Sequence, residues 1–245
     1  MKGNRGPSSD ERADALEEEM MARLPPPADA PRLRRGTGVM FGGDTPGGQS
    51  PSLRPLAPMP KKPTLVDFFR LRFMPNTVTH MLQSATDALA KGEPEDIVFA
   101  CLVHDLAVNL VKVDHGYWGA QMLEPYVSRK VSWAIRYHQA LRFFPDRSVG
   151  YEYPQKYVEI FGPDYEPEPY VKAAYREARR HKWYVAARMI TVHDLYAFDG
   201  ETRLPLDPFV DVIGRHFRQP KEGLGFDGSP VAHMWRSLIY PDHPL

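Results

Sequence analysis

Ile97-Val98-Phe99-Ala100-Cys101-Leu102-Val103-His104-Asp105-Leu106 is the stretch that decides the fold. Every residue from Ile97 to Val103 is apolar. Pro94 is suited to the first turn of a helix, and Glu95 and Asp96 favour its N-terminus. The run therefore predicts a helix buried nearly all round, ending by delivering His104 and Asp105 into the core. Two adjacent ionisable side chains there are expensive unless something pairs with them, and a metal ion is a common partner for a histidine and an aspartate.

Working outward, further candidates recur on both sides. His80 lies 24 residues before His104, His115 ten after Asp105, His138 23 beyond His115, and Asp194 56 beyond His138. A lone histidine is more often a hydrogen-bonded core or surface residue than a ligand. Nine histidines also give some regular spacings by chance, and His-Asp recurs at His193-Asp194. The series gains weight because most of its members fall on helices predicted from apolar periodicity, the short helix at His115 being the exception.

Thr64 with Asp67 forms a capping box for a short helix burying Leu65, Phe68, Phe69 and Phe73, with Arg72 interrupting that side. Asn76 caps a second helix running to about Lys91, with Gly92 as its stop. Its stripe is Val78, Leu82, Ala85 and Leu89; His80 lies off the stripe, with Gln83 and Ser84 on its side. Asp114 caps a short helix containing His115. Pro125 starts another, with Val127, Val131, Ile135 and His138 on one face. A helical turn or two is expected around Gln155 to Phe161. A long helical pattern runs from about Pro169 to Phe198, placing Ala187, Ile190, Thr191 and Asp194 together, and Pro208 to Phe217 forms a last helix. No stretch alternates with period two, so the fold class is all-α.

Composition bounds the function. The 31 basic and 31 acidic residues cancel, so no global field recruits nucleic acid or an anionic membrane. The single cysteine excludes a disulfide framework. No apolar stretch approaches membrane-spanning length and no secretory signal opens the chain, so a cytoplasmic protein is expected. Residues 1–62 are rich in Pro and Gly and read as a disordered tail, with a short helix from Ser9 to Leu24; residues 63–245 form the helical domain.

Neutral imidazole and carboxylate suit Fe, Mn, Zn or Mg, and no thiolate cluster is present to select otherwise. An aspartate beside a histidine can ligate one ion and bridge to a second, which brings both within reach of one substrate. Arg142, four residues after His138, shares that ligand's face and can hold a carboxylate or phosphonate. Gln83, beside His80, and Thr191, beside Asp194, are further candidates for substrate contact.

The order His80, His104-Asp105, His115, His138, Asp194 resembles the HD-domain superfamily of helical metal-dependent proteins, over roughly residues 63–199. This four-His, two-Asp version is shared by mixed-valent di-iron oxygenases and two-metal phosphohydrolases. His80-Met81-Leu82-Gln83-Ser84-Ala85 is similar to the first-ligand helix of the phosphonate-cleaving oxygenases, and Asp194-Leu195-Tyr196 to the last-ligand segment of myo-inositol oxygenase. The resemblance implies an HD helical bundle in which His80, His104, Asp105 and Asp194 hold one metal. His115 and His138 hold the second, with Asp105 as the bridging, catalytic carboxylate. It implies two iron ions, Fe(II) and Fe(III), and O2-dependent oxidation of a C–H bond in a small polar, anionic substrate, with C–C or C–P cleavage open. The alternatives are a Mn- or Mg-dependent phosphohydrolase and an inactive binding module.

Two departures narrow the substrate. Ala107 and Val108 stand where inositol oxygenase has a glycine and a substrate-binding lysine, so inositol is not expected. Phe68-Phe69-Arg70-Leu71-Arg72-Phe73 carries neither the tyrosine nor the glutamate that gates the phosphonate enzymes. The 56 residues from His138 to Asp194 leave room for a lid. His181, His216, His233 and His243 are expected at the surface or in packing, and His193 beside the site but outside the ligand set.

Overall fold

The computed structural model describes residues 57–60, 63–111, 113–194 and 204–220, together with Ala15, Glu19 and Trp235. The chain divides into two compact units, Gly36–Pro220 and a second of Met1–Arg35 with Lys221–Leu245. All the helices below belong to the first. The expected tail, residues 1–62, lies almost wholly outside the described residues.

The described residues form helices and no sheet. They are α1 (Leu65–Leu71), α2 (Pro75–Ala90), α3 (Glu95–Val103), α4 (His115–Leu123), α5 (Arg129–Leu141), α6 (Gln155–Phe161), α7 (Pro169–Arg179), α8 (Tyr184–Asp194) and α9 (Val210–His216). The all-α class holds. No described helix is long and apolar enough to cross a membrane.

The predicted central helix is α3. Each residue from Ile97 to Val103 is buried, because α2, α5, α8 and α9 all pack against it. The other main contacts are α4 on α5 and α5 on α8. Thus α5 and α8 bring their late residues, His138 and Asp194, toward the end of α3 that carries His104 and Asp105.

Local signals explain most boundaries. The Asp67 carboxylate accepts from the Thr64 N–H at 2.7 Å and from its hydroxyl at 2.6 Å, forming the expected capping box. Arg72 is buried but not idle: its guanidinium donates to the carbonyls of Ala57 and Leu71. Helix α2 starts earlier than predicted, because Pro75 takes the first helical position after Met74 and the exposed Asn76 does not cap. Its predicted stripe also shifts. Leu89 is 51 % exposed, whereas Met81 and Ala88 are buried along with Thr77, Gln83 and Ser84, because α2 meets both α3 and α8. Helix α5 starts at Arg129 instead of Pro125, capped by Ser128, whose hydroxyl oxygen accepts from the Val131 N–H at 3.3 Å.

The long helix expected from Pro169 to Phe198 is two helices. The chain breaks between Arg179 and Tyr184 with neither Pro nor Gly present. The His181 ring stacks on Trp133 of α5 at 4.1 Å, and its Nδ1 accepts from the Trp183 N–H at 3.2 Å. This packing overrides local helix propensity. At the C-terminal end a 3-10 turn, Asp207–Phe209, leads into the shorter α9.

Candidate metal centre

Helix α2 carries His80, α3 ends at Val103 with His104 and Asp105 immediately following, α4 opens with His115, and α5 and α8 carry His138 and Asp194 near their C-termini. Their ligand atoms converge into two groups: His80, His104, Asp105 and Asp194, and Asp105, His115 and His138. Within each group the atoms lie within 4.8 Å of one another, and Asp105 belongs to both. All six expected ligands are therefore brought together, and each group can hold a metal ion. Five of the six are buried, and His80 is partly exposed.

The fit to cations rests on which atoms point inward. Nδ1 of His104 donates to the Cys101 carbonyl at 2.7 Å, and Nδ1 of His138 donates to the Ile135 carbonyl at 2.6 Å. Both bonds reach back three residues along the ligand's own stretch of chain, and both turn an unprotonated Nε2 toward the centre. There Nε2 of His104 sits 3.3 Å from Nε2 of His80, and Nε2 of His138 sits 3.3 Å from Nε2 of His115. Oδ1 of Asp105 lies 2.9 Å from His115 Nε2, 3.5 Å from His104 Nε2 and 3.6 Å from His138 Nε2, yet no directed hydrogen bond reaches it. Nε2 of His80 is 3.0 Å from Oδ1 of Asp194 and 3.4 Å from Oδ2 of Asp105. Converging nitrogen lone pairs around a buried carboxylate oxygen without a hydrogen bond form a donor set suited to divalent cations.

The electrostatics agree. Burial would raise Asp105, but His104, His115 and His138 outweigh it and hold the carboxyl well below the ordinary range. Asp194 is likewise held well below, by Arg142 first and then His104 and His80, against its burial. Burial pushes His138 down to about 4, so its imidazole stays neutral and able to ligate. Cys101 is fully buried, and burial raises its thiol well above the ordinary value, consistent with a packing role.

The three expected substrate contacts are placed differently. Arg142 follows the last residue of α5, lines the large cavity described below, and donates from Nη2 to Oδ2 of Asp194 at 2.8 Å. Thr191 is corrected: it is fully buried and its hydroxyl is directed at the carbonyls of His138 and Ala187, so it joins α8 to α5 and cannot face a substrate. Gln83 is buried on α2 and is not among the residues lining the cavity. His193 lies beside the site as expected, with Nδ1 2.7 Å from Asp87 Oδ2 and Nε2 3.3 Å from Glu93 Oε1, which ties α8 to α2 and the turn after it. His181 and His216 serve in packing, the latter stacked on Phe99 and 2.9 Å from Glu95. His233 and His243 lie outside the described residues, as do residues 195–203.

Sequence reasoning missed the group that fixes the end of α5. Arg188 of α8 is fully buried and donates to the Leu141 carbonyl at 2.9 Å and to the Tyr184 hydroxyl at 3.1 Å. The Tyr184 hydroxyl in turn donates to Asp146. The Tyr151 hydroxyl donates to the Arg142 carbonyl at 2.7 Å. These bonds satisfy carbonyls that the helix terminus leaves open. An arginine inside the predicted face of α8, three residues before Thr191, was the available signal.

A cavity of about 820 Å³ opens from the centre. Asp105, His115, Gln139 and Arg142 line one part, and the walls come from α4, α5, α7 and the segment around Phe161 and Tyr165. Comparison with protein-family models and with curated proteins gives no match.

Proposed function

We propose that the chain is a di-iron oxygenase of the HD type that oxidises a C–H bond of an anionic substrate. The observation that carries this reading is the cavity at the centre. The stretch between His138 and Asp194 supplies Phe143, Phe161, Tyr165, Glu168 and much of α7 to its wall. A largely apolar wall beside the ligand set orients a substrate that, once seated, displaces water from the centre, which oxygen chemistry needs more than hydrolysis does. The charges on the wall speak against a highly charged phosphate ester. Arg136 and Arg142 face Asp105, Asp114, Glu168 and Glu177, and Arg142 is already paired with Asp194. A polyphosphate would meet more carboxylates than cations there.

When bound, two iron ions would supply electrons to O2 and so make it an oxidant able to take hydrogen from carbon. The chain's own residues do the rest. His104 and His138 are held in the ligating tautomer by carbonyls of their own turns. Asp105 stays ionised and shared between the two groups. Arg142 fixes Asp194 with one nitrogen, and its remaining N–H groups can hold a substrate carboxylate or phosphonate. The intact ligand series argues against a binding module, which has no need of it.

The test is oxygen uptake by the Fe(II)-loaded full chain on a panel of hydroxy- and amino-substituted carboxylates and phosphonates. Phosphate release from nucleotides and phosphomonoesters is followed in parallel with Mn(II) or Mg(II). Substrate-dependent O2 consumption is expected; fast phosphate release without O2 would make the chain a phosphohydrolase.

A further inference from the structure

The cavity is built for more than a small polar molecule. Its volume of about 820 Å³ lies in the upper part of the range of about 300–1,000 Å³ typical of ligand pockets. Exposure orders its wall by depth. Asp105 and His115 are buried at the floor, and Arg142 is largely enclosed beside Asp194. At the mouth, Val113, Tyr117, Trp118, Phe161, Tyr165 and Tyr170 are all at least 37 % exposed. Most of the exposed large hydrophobic residues among those described stand around this one opening.

Floor and mouth are joined by an apolar track. Phe143 follows Arg142 in sequence and lines the cavity. Its ring lies 5.8 Å from Phe161 and 5.7 Å from Tyr165, and those two rings stack at 4.7 Å. The one wall therefore runs from a guanidinium at the floor to open aromatic rings at the mouth. Arg136 sits against the rings of Tyr117 and Tyr137 at 5.1 and 5.4 Å, so its charge is engaged with the wall. Arg142 lies over the Tyr157 ring at 5.8 Å and pairs through Nη2 with Asp194, but its buried Nε has no hydrogen-bond partner, so an N–H beside the metal ligands is left to meet an anion.

We propose that the cavity takes an amphipathic anion, with its acidic head at Arg142 and the metal centre and an alkyl or aryl body along the Phe143–Phe161–Tyr165 wall. This rests on the metal-centre reading above and names the substrate class for it. A head group alone would leave the aromatic wall exposed to water, whereas a body several carbons long covers it. A neutral apolar molecule would leave the spare N–H groups of Arg142 without an acceptor.

The experiment is calorimetric titration of the full-length chain, loaded with redox-inert Zn(II), using acetate, butanoate, octanoate and 1-octanol. Affinity is expected to rise by about fourfold per added methylene across the carboxylates, up to the length the wall can cover. Octanoate is expected to bind at least tenfold more tightly than 1-octanol. Phe161→Ser and Tyr165→Ser change exposed side chains, and should weaken octanoate several-fold while leaving acetate unchanged. A series with no dependence on chain length, in protein that carries its metal, overturns this inference and leaves the metal centre standing. Equal affinity for octanoate and 1-octanol overturns the anionic head. Loss of chain-length dependence only when the metal is absent supports the proposal, and a chain that never loads metal overturns the underlying reading instead.

Discussion

At the scale of single residues, the site is a set of compromises between burial and charge. His138 shows this most directly, because burial holds its imidazole down at about 4 against an ordinary value of 6.5. The unfolded chain therefore binds a proton between those values that the folded, metal-free chain does not. Stability from this group is fully present above about pH 6.5 and is lost as pH falls toward 4. The loss is roughly 3 kcal/mol by the usual conversion of such a difference. Urea unfolding of the metal-free chain at pH 7 and pH 4.5 should show it, and His138→Gln should flatten the dependence. An equal pH dependence in the variant would assign the effect elsewhere. Arg142 behaves differently from a simple substrate anchor because Asp194 depends on it. Arg142→Ala should destabilise the metal-free chain by about 3–5 kcal/mol, since it strands a buried carboxylate, and should loosen metal as well as substrate. Thermal melts with metal analysis check this; a stable variant with full metal content and only a raised KM would restore the simpler role. Four of the candidate ligands, His104, Asp105, His138 and Asp194, were legible in sequence because each is a chemically distinctive residue at the end of an apolar pattern, whereas His80 and His115 were found by their spacing from these. The Arg142–Asp194 pair was not, because its partners are 52 residues apart and no local pattern links them.

At the scale of elements, the two metal groups depend on how closely helices approach. Gly116 follows His115 on α4, and a Cβ there would lie 2.8 Å from the Ile135 carbonyl oxygen and 3.1 Å from the His138 ring. The missing side chain lets α4 and α5 bring His115 and His138 together. Gly116→Ala should therefore cost about 1–3 kcal/mol and lower metal content mainly in the second group. Metal analysis beside a urea titration tests it, and a variant with unchanged metal content would show that α4 can shift without cost to the site. The residue before His115, Asp114, has φ 60° and is the single described non-glycine residue with positive φ. Sequence suggested it as a cap, and it holds that position, but without a side-chain cap bond. Its backbone turn aims His115 inward, at a strain cost that aspartate tolerates better than most residues. The buried α3 and the short α6 were legible because composition or flanking prolines fix them. The split between α7 and α8 was not, because Trp133, which stacks on His181, lies on another helix.

At the scale of the molecule, the all-α class followed from patterns each helix carries alone, while the convergence of the six candidate ligands was expected from their order along the whole chain. The cavity did not. Its aromatic wall joins Phe143, Phe161 and Tyr165 with residues of α4 and α7, and none of these shares a periodic pattern with the others. It is this joint wall that shifts the expected substrate from small and polar to amphipathic. The central claim beneath every other reading is that the chain holds two metal ions sharing Asp105. Metal content of the full chain, reconstituted anaerobically with excess Fe(II) and freed of unbound ion, tests it most directly. Two ions per chain are predicted, falling to about one in His115→Ala and below one in Asp105→Ala. A wild-type chain that never exceeds one ion, or an Asp105→Ala variant that keeps two, would contradict it.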